Sequence, residues 1–101
     1  MAKYFLTKKA VSDLSEIWEY TFDTWSEKQA DIYYSSIIKA IKSITDGHIH
    51  GDKEYSKIKP GLFCHRCRKH LIFYQYIEND DIEVIRILHE KMDVSMRLKS
   101  T

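Results

Sequence analysis

The residue pair with the most distinctive chemistry is Cys64 and Cys67, which enclose His65 and Arg66. A structural zinc site needs about four ligands, usually from two such pairs, and the sequence contains no other cysteine. A thioredoxin-type redox pair would open a helix, whereas these cysteines lie in a run typical of a strand. Side chains three residues apart on a strand point to opposite faces. We therefore predict no metal site, no cofactor and no redox role for this pair.

A second candidate is the basic segment from His65 to His70, in which five of six residues are basic or imidazole side chains. Arg66, Arg68 and Lys69 could bind phosphate groups or an acidic protein surface. The alternative is a solvated strand whose charges prevent edge-to-edge aggregation. The residues alone leave both interpretations open.

His89 is the third candidate, because it follows an apolar run, precedes Glu90 and has Arg86 three residues before it. A histidine at the end of a strand could donate or accept a proton, although a hydrogen-bonded structural role is the alternative. The sequence has no recognisable Ser/His/Asp or Cys/His arrangement and no glycine-rich phosphate loop. The residues alone therefore do not indicate an enzyme.

The chain that must position these residues has 101 amino acids, enough for a single domain that spans residues 1–101. Its 16 Lys and Arg against 15 Asp and Glu give a formal net charge of +1, so bulk charge predicts neither a nucleic-acid nor a membrane partner. A hydrophobic share of 44%, with only 3 Gly and 1 Pro, excludes a disordered chain. No apolar run approaches the roughly 20 residues of a membrane helix, and no segment resembles a signal peptide. We expect a cytoplasmic protein without a membrane partner.

The first half of the chain predicts a short strand at residues 4–6 and a hairpin of two helices. Thr7 can cap an amphipathic helix from residue 8 to about 25, whose apolar side chains recur on one face. Ser26 begins a capping box for the second helix, and Gly47 stands where a helix end adopts positive φ.

The second half predicts three strands, at residues 62–67, 69–77 and 82–89, because these runs are rich in β-branched and aromatic side chains. The last run is apolar at nearly every position, which predicts a central strand covered on both faces. Residues 48–61 form a long irregular connector, and Asp93 can cap a final helical turn. The predicted class is α+β in two layers: an N-terminal strand, an α-helical hairpin on one face, a three-stranded antiparallel meander and a short C-terminal helical turn.

Three stretches of the sequence carry a resemblance to a known family. The first runs from Leu6 to Trp25, the second pairs Arg66 with H-L-I-F-Y at His70–Tyr74, and the third, Ile82–Asp93, contains R-I-L-H-x-x-M-D. These stretches resemble the ParE branch of the ParE/RelE toxins of bacterial type II toxin–antitoxin modules. The likeness spans essentially the whole chain and implies a RelE/ParE-like fold.

The resemblance implies a toxin that blocks DNA gyrase through its A subunit. A ParD-like antitoxin would neutralise this toxin. The C-terminal segment of the antitoxin would wrap over the helical hairpin and the sheet, and the antitoxin-binding residues would be Trp18, Phe22, Trp25, Tyr33, Tyr34 and Ile37. The expected contacts to the target are Arg66, Arg68, Lys69, Met92, Met96 and Arg97. We expect no catalytic residues, no cofactor and no sequence-specific nucleic-acid binding by the toxin alone.

The competing function in the same superfamily is ribosome-dependent cleavage of mRNA by RelE-type endoribonucleases. Its candidate catalytic residues here are Arg66, Arg68, Arg86 and His89. The sequence has no tyrosine after Tyr76 and no strong basic excess, which favours gyrase inhibition. A third hypothesis is a degenerate toxin that binds its antitoxin and regulates transcription with it, without poisoning any target.

Overall fold

The computed structural model describes residues 2–49 and 51–99, which form an α+β fold of three helices and five strands. In chain order the elements are β1 (Tyr4–Leu6), α1 (Lys8–Thr24), α2 (Glu27–Thr45), β2 (Lys53–Glu54), β3 (Phe63–Cys67), β4 (His70–Tyr76), β5 (Ile82–His89) and α3 (Val94–Lys99). A 3₁₀ turn, Glu78–Asp80, connects β4 to β5. The predicted fold class is confirmed, and the three long strands begin and end within one residue of their predicted limits.

The ends of the two long helices form where the sequence indicates. Thr7 is extended, and its Oγ1 accepts a hydrogen bond from the amide of Ala10 at 3.1 Å. Ser26 is the N-cap of α2, and its Oγ accepts a hydrogen bond from the amide of Gln29 at 3.1 Å. Gly47 follows α2 with a φ of +76°, the left-handed conformation that glycine adopts at no steric cost. Local capping chemistry therefore fixes the length of the helical hairpin.

The strands form one sheet in the order β1-β5-β4-β3-β2. β1 runs parallel to β5, and every other neighbouring pair is antiparallel. The predicted meander is β3–β4–β5, while the two-residue β2 adds an edge strand that the sequence does not indicate. β5 lies between β1 and β4, and six of its eight residues are buried. Its predicted central position is confirmed.

A hydrophobic core lies on each face of the sheet. The helix-face core packs α1 and α2 against the sheet and includes Ile37, Ile72 and Val84. The second-face core includes Phe73 and Leu88 and lies under the connector and α3, which contribute the following apolar side chains: Tyr55, Ile58, Leu62, Val94 and Leu98. The long connector and the last helical turn therefore cover the face that the helical hairpin leaves open.

The two cysteines lie on opposite faces of β3, as their spacing predicts. Cys64 belongs to the second-face core and Cys67 packs against the helix-face core, and both thiols are free. Burial raises the pKa of the Cys64 thiol to about 11, so this thiol is unreactive at neutral pH. Within residues 2–49 and 51–99, no cluster of His, Cys, Asp and Glu is suited to a metal ion, and no helix has the length and apolarity to cross a membrane.

Candidate functional site

An aromatic surface lies along α1 and α2, and we define it by Trp18, Phe22, Trp25, Asp31 and Tyr34. The rings of Trp18 and Phe22 stack with centroids 5.2 Å apart, and Trp18 Nε1 donates to Asp31 Oδ1 at 3.1 Å. Trp25 is 74% exposed and Phe22 44% exposed, which is unusual for large aromatic side chains. This α1–α2 aromatic surface presents rigid apolar groups beside one carboxylate.

Two residues predicted for antitoxin binding do not belong to this surface. Ile37 is completely buried in the helix-face core, so the prediction that it contacts a partner is wrong. Tyr33, four residues earlier on α2, is half-buried, and its hydroxyl lies 2.6 Å from His70 Nδ1. Residues four apart share one helix face, and here that face is turned toward the sheet. Of the six predicted residues, Trp18, Phe22, Trp25 and Tyr34 therefore form the accessible set.

The basic segment forms the turn of the β3–β4 hairpin. Cys67 pairs with His70 across a two-residue turn, and Arg68 in this turn has a φ of +57°. His70 also pairs with His89 at the end of β5, so three strand ends meet at this point. We call the side chains gathered there the hairpin-tip cluster: Tyr33, Arg66, Arg68, Lys69, His70, His89 and Glu90.

Neutral polar groups form the base of the hairpin-tip cluster. Burial, and next the charge of nearby His89, lower the pKa of His70 to about 4, so His70 is neutral at physiological pH. Burial raises the pKa of Tyr33, whose oxygen accepts from the amide of Lys69 at 3.3 Å. The hydroxyl proton of Tyr33 is then available to His70 Nδ1. The rings of His70 and His89 meet edge to face, 5.2 Å between centroids.

Charged groups form the outer part of the cluster. The guanidinium of Arg66 forms an ion pair with Glu90, and its Nε donates to the carbonyl of Arg68 at 3.2 Å. The amide of Glu90 donates to the carbonyl of Lys69 at 2.9 Å. The Arg68 guanidinium lies over the ring of Tyr33, 5.4 Å from its centroid. Arg66, Arg68 and Lys69 are thus exposed together at the hairpin turn, where the two guanidinium groups have defined contacts.

Arg86 does not join this group. Its Nε and one terminal nitrogen donate to the two oxygens of Asp13 at 2.8 and 3.0 Å, and both side chains are buried. Hydrogen bonding to Asp13 raises the pKa of Arg86, so the guanidinium stays charged. Because its guanidinium is buried and paired with Asp13, Arg86 is not exposed to a phosphate. The predicted catalytic role of Arg86 is therefore wrong.

A β-bulge in β5 places Arg86 against α1. Phe73 pairs with Arg86 and Tyr74 with Val84, so Ile85 is an extra residue on β5. Ile85 fills the second-face core, whereas Arg86 reaches Asp13 on α1. The bulge lies beyond the end of β1, so side chains of α1 and its N-cap bind its main chain instead. Asp13 Oδ2 accepts a hydrogen bond from the amide of Ile87 at 3.0 Å. The Thr7 hydroxyl donates to the carbonyl of Ile85 at 2.7 Å.

The predicted C-terminal contact residues lie in and before α3. Asp93 caps this helix as the sequence predicts, because its Oδ1 accepts from the amide of Met96 at 3.1 Å. Leu98 is buried in the second-face core and holds the helix to the sheet. Met96 is 71% exposed and Met92 40% exposed, and Arg97 is also exposed. These three side chains are therefore accessible to a partner.

Comparison with known proteins places the chain in a family. Residues 4–94 match the family model described as the ParE toxin of the type II toxin–antitoxin system parDE. The chain belongs to the ParE toxin family. Toxin ParE1 of Mycobacterium tuberculosis is 32% identical over 97 residues, which cover 96% of this chain and 98% of the relative. Toxin ParE of Escherichia coli is 33% identical over 99 residues, which cover 97% of this chain and 94% of the relative.

Solved structures show the same fold at lower identity. A chain of the chromosomal ParDE toxin–antitoxin system from P. aeruginosa matches with a TM-score of 0.72 and 17% identity, covering 88% of this chain and 96% of that chain. A chain of the YoeB–YefM complex from Staphylococcus aureus matches with a TM-score of 0.56 and 19% identity, covering 88% and 97%. The protein is thus a type II toxin of the ParE family with a RelE-like fold.

The residues that carry the family resemblance mainly build the ParE fold. In the β4 motif, Ile72 and Tyr74 belong to the helix-face core and Phe73 belongs to the second-face core. In the β5 motif, Arg86 pairs with Asp13. His70 and His89, by contrast, lie in the hairpin-tip cluster. The motif therefore identifies the family through its core and says less about the target.

A third polar cluster, around Asp52, was not indicated by the sequence. The hydroxyl of Tyr74 donates to Asp52 Oδ2 at 2.5 Å, and His65 Nδ1 lies 3.0 Å from Asp52 Oδ1. Burial and this hydrogen bond raise the pKa of Tyr74. Through Asp52, the cluster connects the segment before β2 to strands β3 and β4 of the sheet. A partner 13 or 22 residues away in an irregular segment leaves no periodic signal in the sequence.

Proposed function

We propose that this ParE-family toxin inhibits DNA gyrase in the cytoplasm, by binding rather than by catalysis, and that a ParD-like antitoxin neutralises it. Membership of the ParE family supports this proposal. The hairpin-tip cations and the exposed side chains before and in α3 are the proposed contacts to the gyrase–DNA complex, and the α1–α2 aromatic surface is the proposed antitoxin contact.

The observation that carries the choice against a nuclease is the buried Asp13–Arg86 pair. Of the four candidate catalytic residues, Arg86 is buried and bound to both carboxylate oxygens of Asp13. A nuclease must aim several cations at one scissile phosphate. Without Arg86, the candidate set is reduced to Arg66, Arg68 and His89, and this loss supports binding over catalysis.

One observation favours the second candidate function, ribosome-dependent mRNA cleavage. His89, His70 and Tyr33 lie together at the tip, and a histidine pair with a tyrosine can move protons. Arg68 lies over the same tyrosine ring, within reach of a bound phosphate. This arrangement keeps His89 as the residue to test if gyrase is not the target.

The experiment that decides between the candidates is supercoiling of relaxed plasmid by purified gyrase, with increasing amounts of the full chain. Gyrase inhibition predicts loss of supercoiling or accumulation of linear DNA. Full gyrase activity at an excess of folded protein would reject the proposal. In that case, cleavage of mRNA on purified ribosomes, abolished by His89→Ala, would establish the second candidate. Harmless accumulation of the chain without antitoxin would instead favour a degenerate toxin.

The antitoxin contact can be tested with a matched pair of aromatic variants. Trp25 and Tyr20 are 74% and 69% exposed, but their spacing places them on different sides of α1. Large aromatic side chains at the centre of an interface dominate its energy. We expect Trp25→Ser to weaken binding of the ParD-like antitoxin by roughly tenfold or more, and Tyr20→Ser to change it by less than about twofold. Equal effects of both variants in a calorimetric titration would remove this surface from the interface.

A further inference from the structure

We infer, on the basis of the proposed function, that the hairpin-tip cluster binds the phosphodiester backbone of the duplex DNA held by gyrase. Within this site, Glu90 acts as an internal competitor that occupies the guanidinium of Arg66 until a phosphate replaces it. The ligand of the exposed cations is then DNA and not an acidic protein surface.

Positive charge is concentrated at the hairpin tip. Three cations and one carboxylate belong to the hairpin-tip cluster: Arg66, Arg68, Lys69 and Glu90. They give the tip a charge of +2, whereas the whole chain carries +1, so the rest of the chain carries −1. All three cationic residues are exposed. An anionic polymer is therefore attracted to this end of the molecule.

Two of the cations, Arg66 and Arg68, are held in place before any ligand arrives. The Arg66 Nε donates to the main chain of the turn, and Arg68 lies over the Tyr33 ring. The turn itself is fixed to α2 by the hydrogen bond from the Lys69 amide to Tyr33 and to β5 by the bond from the Glu90 amide. Side chains that are already ordered lose less conformational entropy when they bind.

His89 supplies a further hydrogen-bond donor next to the cations. His89 Nδ1 accepts from the amide of Lys91 at 3.1 Å, which places the ring proton on Nε2, where it can be donated. The His70 ring packs edge to face against this imidazole. Phosphate oxygens in nucleic-acid complexes accept hydrogen bonds from arginine, lysine and neutral donors together. The tip offers such a mixed set of donors.

The competitor role of Glu90 follows from exposure. The side chains of Arg66 and Glu90 are 64% and 25% exposed, and an ion pair this accessible is weak because water screens it. A phosphodiester brings the same negative charge with additional acceptor oxygens, so it can displace Glu90. Removing the charge of Glu90 should therefore improve DNA binding instead of weakening it.

The test is fluorescence anisotropy with a labelled 20-base-pair duplex of arbitrary sequence and the full chain, without gyrase. We expect binding that weakens steeply with salt, because each phosphate contact releases counterions. Three such contacts predict a slope of about −2.7 in log–log form, which is roughly a 40-fold loss between 50 and 200 mM salt. The absence of saturable binding at 50 mM salt would overturn the inference.

Three variants locate the contact. Arg68→Gly removes one cation at a position whose positive φ suits glycine, so folding is retained, and we expect roughly fivefold weaker binding with a slope smaller by about one. Glu90→Gln frees Arg66, and we expect roughly threefold tighter binding. Lys57→Ala, an exposed lysine in the connector, is the matched control and should change nothing. An unchanged dissociation constant in both tip variants would place DNA elsewhere and overturn the inference.

Competition distinguishes the other ligand classes. Direct binding of labelled poly-glutamate without any duplex binding would indicate an acidic protein partner and reject DNA. Binding of an RNA hairpin without duplex binding would reject it as well. Gyrase assays separate this inference from the proposed function. Gyrase inhibition without duplex binding overturns only the inference, whereas duplex binding without gyrase inhibition overturns the proposed function and leaves a DNA contact that does not involve gyrase.

Discussion

Two arginine–carboxylate pairs of this toxin differ in the environment that surrounds them. The Arg86 and Asp13 side chains are 11% and 8% exposed, whereas Arg66 and Glu90 are 64% and 25% exposed. Water screens the second pair and not the first, so the same functional groups have different roles. Burial, and not residue type, therefore decides which arginine stabilises the fold and which is available to a partner.

The buried pair is also tied to the main chain. Asp13 accepts from the amide of Ile87 as well as from Arg86, so one carboxylate satisfies a side chain and a strand edge that β1 does not reach. In the exposed pair, Glu90 can be replaced by solvent or by an anionic ligand at little cost to the fold. The following predictions test this contrast.

The largest expected effect is the loss of the buried cation. Arg86→Ala leaves the Asp13 carboxylate buried without its partner, and we expect the free energy of unfolding to fall by about 3–5 kcal/mol. Urea denaturation followed by circular dichroism measures this change, with Arg66→Ala as the matched arginine deletion. A loss below about 1 kcal/mol would mean that the pair contributes no more than a surface pair.

A double replacement sharpens the role of the main chain. Replacing a whole buried ion pair by apolar residues often leaves the free energy of unfolding unchanged. Asp13→Leu with Arg86→Met, however, also leaves the amide of Ile87 without an acceptor. We expect the double variant to remain less stable than the wild type by about 1–3 kcal/mol. Urea denaturation of the double variant beside each single variant measures the difference. Wild-type stability would show that the bulge does not depend on Asp13.

Much of this fold could be predicted because its signals are local. Helix caps at Thr7, Ser26 and Asp93 and the apolar run of β5 each depend on residues close in sequence. The class and order of the long elements follow from such patterns. The two-residue β2 could not be predicted, because it pairs only with residues 63 and 64 and has no apolar periodicity.

The candidate site was predicted less completely because its contacts are distant in sequence. Arg86 binds Asp13, which is 73 residues away in sequence, and the β-bulge that allows this contact has no local sequence pattern. Tyr33, which was predicted to contact the antitoxin, contacts His70 at a separation of 37 residues and so belongs to the hairpin-tip cluster. Ile37 is different, since its place in an isoleucine series at helical spacing already indicated a core residue.

A smaller effect is expected from His70, which connects the hairpin tip to the core side of the sheet. Its pKa is lowered from 6.5 to about 4, chiefly by burial, so the unfolded chain binds more protons between these values. Stability from this group is therefore complete above pH 6.5 and is lost as the pH falls toward 4. Solvent screens the half-buried ring, so we expect a loss of about 1–2 kcal/mol.

The variant His70→Gln isolates this dependence. Glutamine keeps an acceptor for the Tyr33 hydroxyl but does not titrate in this range. The difference between wild-type and variant unfolding free energies should change with pH between 6.5 and 4, while carboxylate contributions cancel. A constant difference across this range would show that His70 titrates normally in the folded protein.

The smallest expected effect is on the stability of the exposed pair. Arg66→Ala and Glu90→Gln should each change the free energy of unfolding by less than about 0.5 kcal/mol, and their coupling in a double-mutant cycle should be equally small. The cycle uses the same urea measurement as the buried pair, so the two pairs are compared directly. A coupling above about 1 kcal/mol would make the tip a structural element. A small coupling means that the Arg66–Glu90 pair costs little to break, which is the property that an anion-binding surface requires.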